Sequence, residues 1–284
     1  MKKYIKISLI AVIAIGIICS IVYFISGMGS GGDKIIATTS FEKQIQARTD
    51  AEIKGKEYND AQTGFNSILQ EINTEASVTL GDGTKNLTEA EVQKAKKIVF
   101  YEYAPIFTKY GKAYFKKSSW DDSVLKSLRS EAQILQTMNI AEKGTAVYSD
   151  LLEIATNVDD YYAAWGVAKS ASHCSTVSAI ASLMSSANRY KKDPLMNNAS
   201  LAAALNSVES NAKNSVMRVI SSHCRGVANR YASYSDYASW TNAYESACDR
   251  INEYKKSYGY PADLQSARAA LDDADNNALN YYDN

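Results

Sequence analysis

Three prolines and two histidines in 284 residues leave little to interrupt helices and little from which to build a catalytic or metal-binding constellation. Runs in which Val, Ile and Thr alternate with polar residues are nearly absent, so a sheet has no source of strands. Net charge is also missing. The 31 basic residues balance 31 acidic ones, which removes the electrostatic drive toward nucleic acid or an anionic surface, and no nucleic-acid partner is expected. No catalytic, nucleotide or metal motif holds up on spacing, so neither cofactor nor metal is expected, no residue marks an interaction surface, and the chain leans away from being an enzyme.

What is present points to helices. With 46% hydrophobic and 22% charged residues the chain is not a disordered tail and can bury a substantial core. Ala, Ser and Lys are abundant, and the expected fold class is all-α.

One long apolar run stands apart. Residues 7–25 are almost unbroken apolar, behind Lys2, Lys3 and Lys6. A bilayer core about 30 Å thick needs roughly 20 such residues in a helix, which makes 7–26 a membrane anchor and the lipid bilayer its partner. The three lysines before the span and the absence of a basic cluster after it place residues 1–6 in the cytoplasm and the C-terminus outside it. The alternative is secretion after signal cleavage near Gly29, although the apolar core exceeds the usual length of a cleaved signal. Lipidation at Cys19 is disfavoured, because Ile17 and Ile18 precede it and the apolar run continues beyond it. Residues 27–33 form a Gly/Ser tether.

Beyond the tether the apolar spacing suggests about six to seven helices in an elongated antiparallel bundle or coiled-coil-like ectodomain, divided into subdomains at 34–138 and 139–284. The pattern over 34–77 is helical but thin at first, with a clear stripe at Tyr58, Ala61, Phe65, Ile68 and Ile72. After the turn at Gly81, Asp82 and Gly83, Thr88 and Glu91 make a capping box, and the helix it starts is expected to kink at Pro105. Ser119, Asp121 and Asp122 cap the next helix, and a break falls near Asn139. A long helix then carries a stripe from Val147 to Ala168 that shifts phase to His173, Val177 and Ile180, read as a stutter. A helix over 200–234 and a closing hairpin about Gly259 complete the chain. The pairs Lys116-Lys117, Lys191-Lys192 and Lys255-Lys256 fall where helices end, where cations complement the carbonyl-rich terminus.

The only chemistry-bearing repeat is Ser-His-Cys, at His173-Cys174 and again at His223-Cys224. Adjacent residues on a helix point about 100° apart and do not converge on one ion, so core histidines are expected rather than a zinc site. A Cys174–Cys224 disulfide is the candidate, because oxidation is allowed outside the cytoplasm. If the helices end near Lys192 and restart near Ala203, the two heights differ by roughly 5 Å; a restart at Ser200 widens this to roughly 9 Å, beyond the usual limit of about 7 Å between Cα atoms. Cys248 has no evident partner. The expectation is a membrane-anchored extracytoplasmic scaffold or adaptor that binds a protein or envelope component. The alternative is a ligand-binding bundle or hydrolase with a carboxylate and tyrosine cleft.

Overall fold

The structure, a computed structural model, describes residues 35–283. The cytoplasmic segment 1–6, the anchor 7–26 with Cys19, and the tether 27–33 lie outside the described residues. No helix among the described residues is long and apolar enough to cross a membrane. The fold is all-α: the described residues form ten α-helices and two short 3-10 segments, with one isolated bridge between Thr79 and Lys85 and no strand. They divide into two compact units, one running through Gly111 and resuming at Glu131–Leu152, the other formed by Lys112–Ser130 and the chain from Glu153 onward.

The first unit opens with α1 (Ser40–Glu52) and α2 (Tyr58–Ser77). The thin pattern over 34–77 is thus two helices, the first burying one face. Thr39 and Glu42 form a reciprocal capping box, Ile45 and Ile53 are fully buried, and Gly55 at φ +69° turns the chain. Arg48 bridges Glu52 at 2.7 Å and also reaches Glu71 on α2. Gly64 lets α2 approach the end of α1. The capping box at Thr88 and Glu91 forms as expected and starts α3 (Glu89–Tyr114). This helix runs unbroken through Pro105, which lies with Tyr101 on the exposed face, where the carbonyl freed by the proline is open to water. Phe65 stacks on Tyr103 at 4.1 Å between ring centroids.

Helix α4 (Asp122–Thr137) is capped by Asp121, whose Oδ1 accepts from the Ser123 and Val124 amides, and not by Ser119. Asn139, at φ +54°, separates it from α5 (Ala146–Ala171). The phase shift after Ala168 is a helix break rather than a stutter: residues 172–176 leave the helix, and the Thr176 hydroxyl caps α6 (Val177–Tyr190). The helix expected over 200–234 is likewise divided into α7 (Ala199–Asn206), capped by Asn198, and α8 (Val208–Ala228).

Helices α9 (Tyr237–Tyr258) and α10 (Ala262–Tyr282) form the expected hairpin, turning at Gly259 with φ +88°. Trp240 Nε1 donates to Asp275 Oδ1 at 2.9 Å and Tyr244 Oη donates to Asp272 Oδ1 at 2.8 Å, so the two helices run antiparallel. Trp240, Ala247, Ile251 and Tyr254 are buried on one seam, and Leu264, Ala267, Leu271, Ala274 and Ala278 on the other. Tyr281, which the stripe places in the seam, is 54% exposed. The hairpin is completed by α8: Tyr254 Oη donates to the Lys213 carbonyl at 3.3 Å and Ser221 Oγ to the Asp263 carbonyl at 3.3 Å. The last three helices are therefore one three-helix bundle.

Candidate functional site

One buried polar cluster, one partly exposed polar cluster and one open groove concentrate the chemistry of the described residues. In the first unit the Glu131 carboxylate, 5% exposed, accepts from Tyr103 Oη at 2.6 Å, from Tyr58 Oη at 3.0 Å and from Gln62 Nε2. Tyr58 stacks on Tyr110 at 3.7 Å. Burial, and after it the Glu131 carboxylate, push the Tyr103 phenol far above its ordinary pKa and raise that of Tyr110. The Tyr103 phenol stays protonated and donates. A charged group in the interior is tolerable only when such donors satisfy it, and this one ties α2, α3 and α4 together.

In the second unit Arg268 donates through Nε to Asp272 at 2.8 Å and through Nη2 to Tyr244 Oη at 2.9 Å, with its guanidinium over the Tyr244 ring. Burial and the bond to Asp272 raise the Tyr244 pKa. The cluster clasps α9 to α10, and its carboxylate, phenol and guanidinium are engaged with one another.

The groove differs from both. A cavity of about 430 Å³ is lined by Trp165, Gly166, Ala168 and Lys169 of α5, Ala204 of α7 and Asn211 of α8. Asn211 also borders a neighbouring cavity of about 420 Å³, walled by Ser172, Asn214, Met217, Arg218 and Asp263. Small residues make the hollow: no atom lies within 4 Å of the position a Cβ would take at Gly166. Trp165 is half-buried, while Lys169, Asn211, Asn214 and Arg218 are exposed. The lining holds hydrogen-bond donors and acceptors beside apolar side chains but no Cys, His or Glu. Among the described residues no three His, Cys, Asp or Glu side chains are grouped to hold a metal ion.

No family model, curated protein or solved structure matches the chain. Function has to be argued from the geometry alone.

The residues singled out in the sequence are placed as follows. His173 is exposed in the break after α5 and His223 is half-buried on α8, so neither is a core histidine. Burial, followed by the charges of Arg250 and Arg230, lowers the pKa of His223. The structure does not bring Cys174 and Cys224 together, and both are free and buried. Cys174 lies in the break, its thiol on the Thr176 carbonyl at 3.6 Å, whereas the Cys224 thiol meets the Ala247 carbonyl of α9 at 3.6 Å. Ser215 of α8 is the residue level with this break, since its hydroxyl donates to the Ser172 carbonyl at 2.9 Å. Cys224 lies a further nine residues along the helix, or about 13 Å at 1.5 Å per residue, far beyond disulfide reach. The sequence expectation assumed one continuous helix through Cys174, and the break removes that geometry. The groove was missed, because Trp165 falls on a helical stripe that reads as core.

Proposed function

We propose that the chain is a membrane-anchored scaffold or adaptor. Residues 7–26 insert in the bilayer with the N-terminus in the cytoplasm, residues 27–33 act as a tether, and the helices stand on the extracytoplasmic side and bind a protein partner. The observation that carries this reading is the groove beside α5, α7 and α8. Trp, Met and Arg are the residue types that protein interfaces favour; Trp165 lines this groove, and Met217 and Arg218 line the cavity that adjoins it at Asn211. Its open form suits a macromolecular surface better than a small ligand, which is usually enclosed over most of its area. Two carboxylates support the same reading: buried Glu131 and the partly exposed Asp272 are engaged with tyrosines that hold helices together.

A photo-crosslinking side chain at Lys169, with a second at exposed Asn252 of α9 as control, tests this in intact cells. The expected result is one reproducible protein adduct from position 169, absent from position 252 and lost when Arg218→Glu is added. No adduct from 169, or the same adducts from both positions, would contradict the proposal and favour the ligand-binding alternative.

A further inference from the structure

Two of the three buried thiols among the described residues, Cys224 and Cys248, lie on facing helices, and they are not the pair suggested by the Ser-His-Cys repeat. Helices α8 and α9 run antiparallel. Passing along α8 from Lys213 to Cys224, the partner on α9 moves back from Tyr254 to Ala247. The Cys224 thiol therefore meets α9 at the peptide that joins Ala247 to Cys248. Its sulfur lies 3.6 Å from the Ala247 oxygen. Covalent geometry then puts the Cys248 Cα within about 6.5 Å of that sulfur, since a carbonyl oxygen and the next Cα are about 2.8 Å apart. Cys224 is fully buried and Cys248 is 6% exposed, so both side chains face the interior of the bundle. Each also belongs to a firmly placed element: Cys248 follows Tyr244 by one turn, and Tyr244 is clasped to Arg268 and Asp272 of α10.

We infer that Cys224 and Cys248 form a dithiol site that a disulfide donor oxidises to an intrachain bridge joining α8 to α9. In the step the S–S bond of the donor breaks and an S–S bond between Cys224 and Cys248 forms. The two protein thiols give up two protons and two electrons, and the donor leaves as two thiols. The electrostatics agree with the placement: burial, then the neighbouring Cys248, raise the Cys224 pKa to about 11, and burial raises that of Cys248. Because the thiolate is the attacking species, exchange is slow at neutral pH and faster under alkaline conditions. Cys174, whose thiol lies on the Thr176 carbonyl in the break after α5, takes no part. The inference is independent of the scaffold reading, since it concerns one chain and a donor of known chemistry.

The test uses the full-length chain in detergent, treated with oxidised glutathione at alkaline pH, denatured, alkylated and mapped by mass spectrometry without reductant. The expected product is a Cys224–Cys248 linked peptide with Cys174 alkylated. Cys174→Ser should leave the link intact, while Cys248→Ser or Cys224→Ala should abolish it. Far-UV circular dichroism should show the helices retained, with a thermal midpoint above that of the reduced chain. Recovery of Cys224 and Cys248 both alkylated from folded protein would overturn the inference. A link to Cys174, or a bridged chain that melts below the reduced one, would overturn it equally.

Discussion

Replacing Gly64 by alanine tests a close helix approach in the first unit. A Cβ built there would lie 2.8 Å from both the Cβ and the carbonyl oxygen of Glu52, and 3.1 Å from its carbonyl carbon. Comfortable contact between carbon atoms is about 3.5 to 4.0 Å, so the added methyl overlaps backbone at the end of α1. That end cannot easily yield. The next residue, Ile53, is fully buried, and Arg48 holds Glu52 through two hydrogen bonds of 2.7 and 2.9 Å. Alanine gains about 1 kcal/mol over glycine in a helix interior, whereas overpacking costs about 1 to 3 kcal/mol, so the net loss should be on the order of 1 kcal/mol. The same change at Gly166, in the interior of α5 with nothing within 4 Å, keeps the propensity gain without the clash and should stabilise by up to about 1 kcal/mol. Urea unfolding of each variant, followed by circular dichroism, measures the two shifts. A Gly64→Ala chain as stable as the parent, or equal losses at both positions, would refute the reasoning.

Three further substitutions follow from the packing. The Thr49 hydroxyl is buried without a hydrogen-bond partner, so Thr49→Val, of nearly the same shape, should raise the urea midpoint by an amount equivalent to about 1 kcal/mol. Ala278 and Trp240 are both fully buried in the α9–α10 hairpin, and Ala278→Leu should cost about 1 to 3 kcal/mol; an unchanged midpoint would show that the seam has room. At Glu42 burial opposes the charge, but the Thr38 amide, the Lys94 ammonium and the Thr38 hydroxyl outweigh it and hold the pKa down from 4.5 to about 2. A depressed carboxylate contributes stability that is complete above about pH 4.5 and is lost as pH falls toward 2. Lys94 is 29% exposed, so solvent screening should reduce the effect to on the order of 1 to 2 kcal/mol. Glu42→Gln should lose that amount at pH 7 and little at pH 2.5, as read from urea midpoints at the two pH values.

Local signals carried much of the fold. The Thr88 and Glu91 capping box needs only four residues, and it forms. The α9–α10 seams are long enough to specify antiparallel pairing, and Lys255 and Lys256 occupy the last turn of α9 as the helix dipole favours. Breaks inside long apolar patterns were harder to read. A phase shift after Ala168 is compatible with either a stutter or an interruption, and the deciding feature is a single side-chain cap from Thr176. The Thr39 and Glu42 box was present in the sequence but obscured by the few apolar residues around it. Long-range placement was not legible at all. Trp165 lies in a groove because α7, a short helix that the apolar pattern merged with α8, stands where a wall is needed. Cys248 acquires a neighbour because α8 packs on the hairpin, and a stripe of apolar residues does not name the third helix that covers it.

A scaffold of the proposed kind has to be fixed in a membrane with its helices on the extracytoplasmic side. Protease treatment of right-side-out and inside-out membrane vesicles carrying the full-length chain tests this most directly. The expected result is a chain that resists alkaline extraction, with its helical portion released by cleavage within 27–33 in right-side-out vesicles and protected in inside-out ones. Recovery in the soluble fraction, or release only from inside-out vesicles, would contradict it.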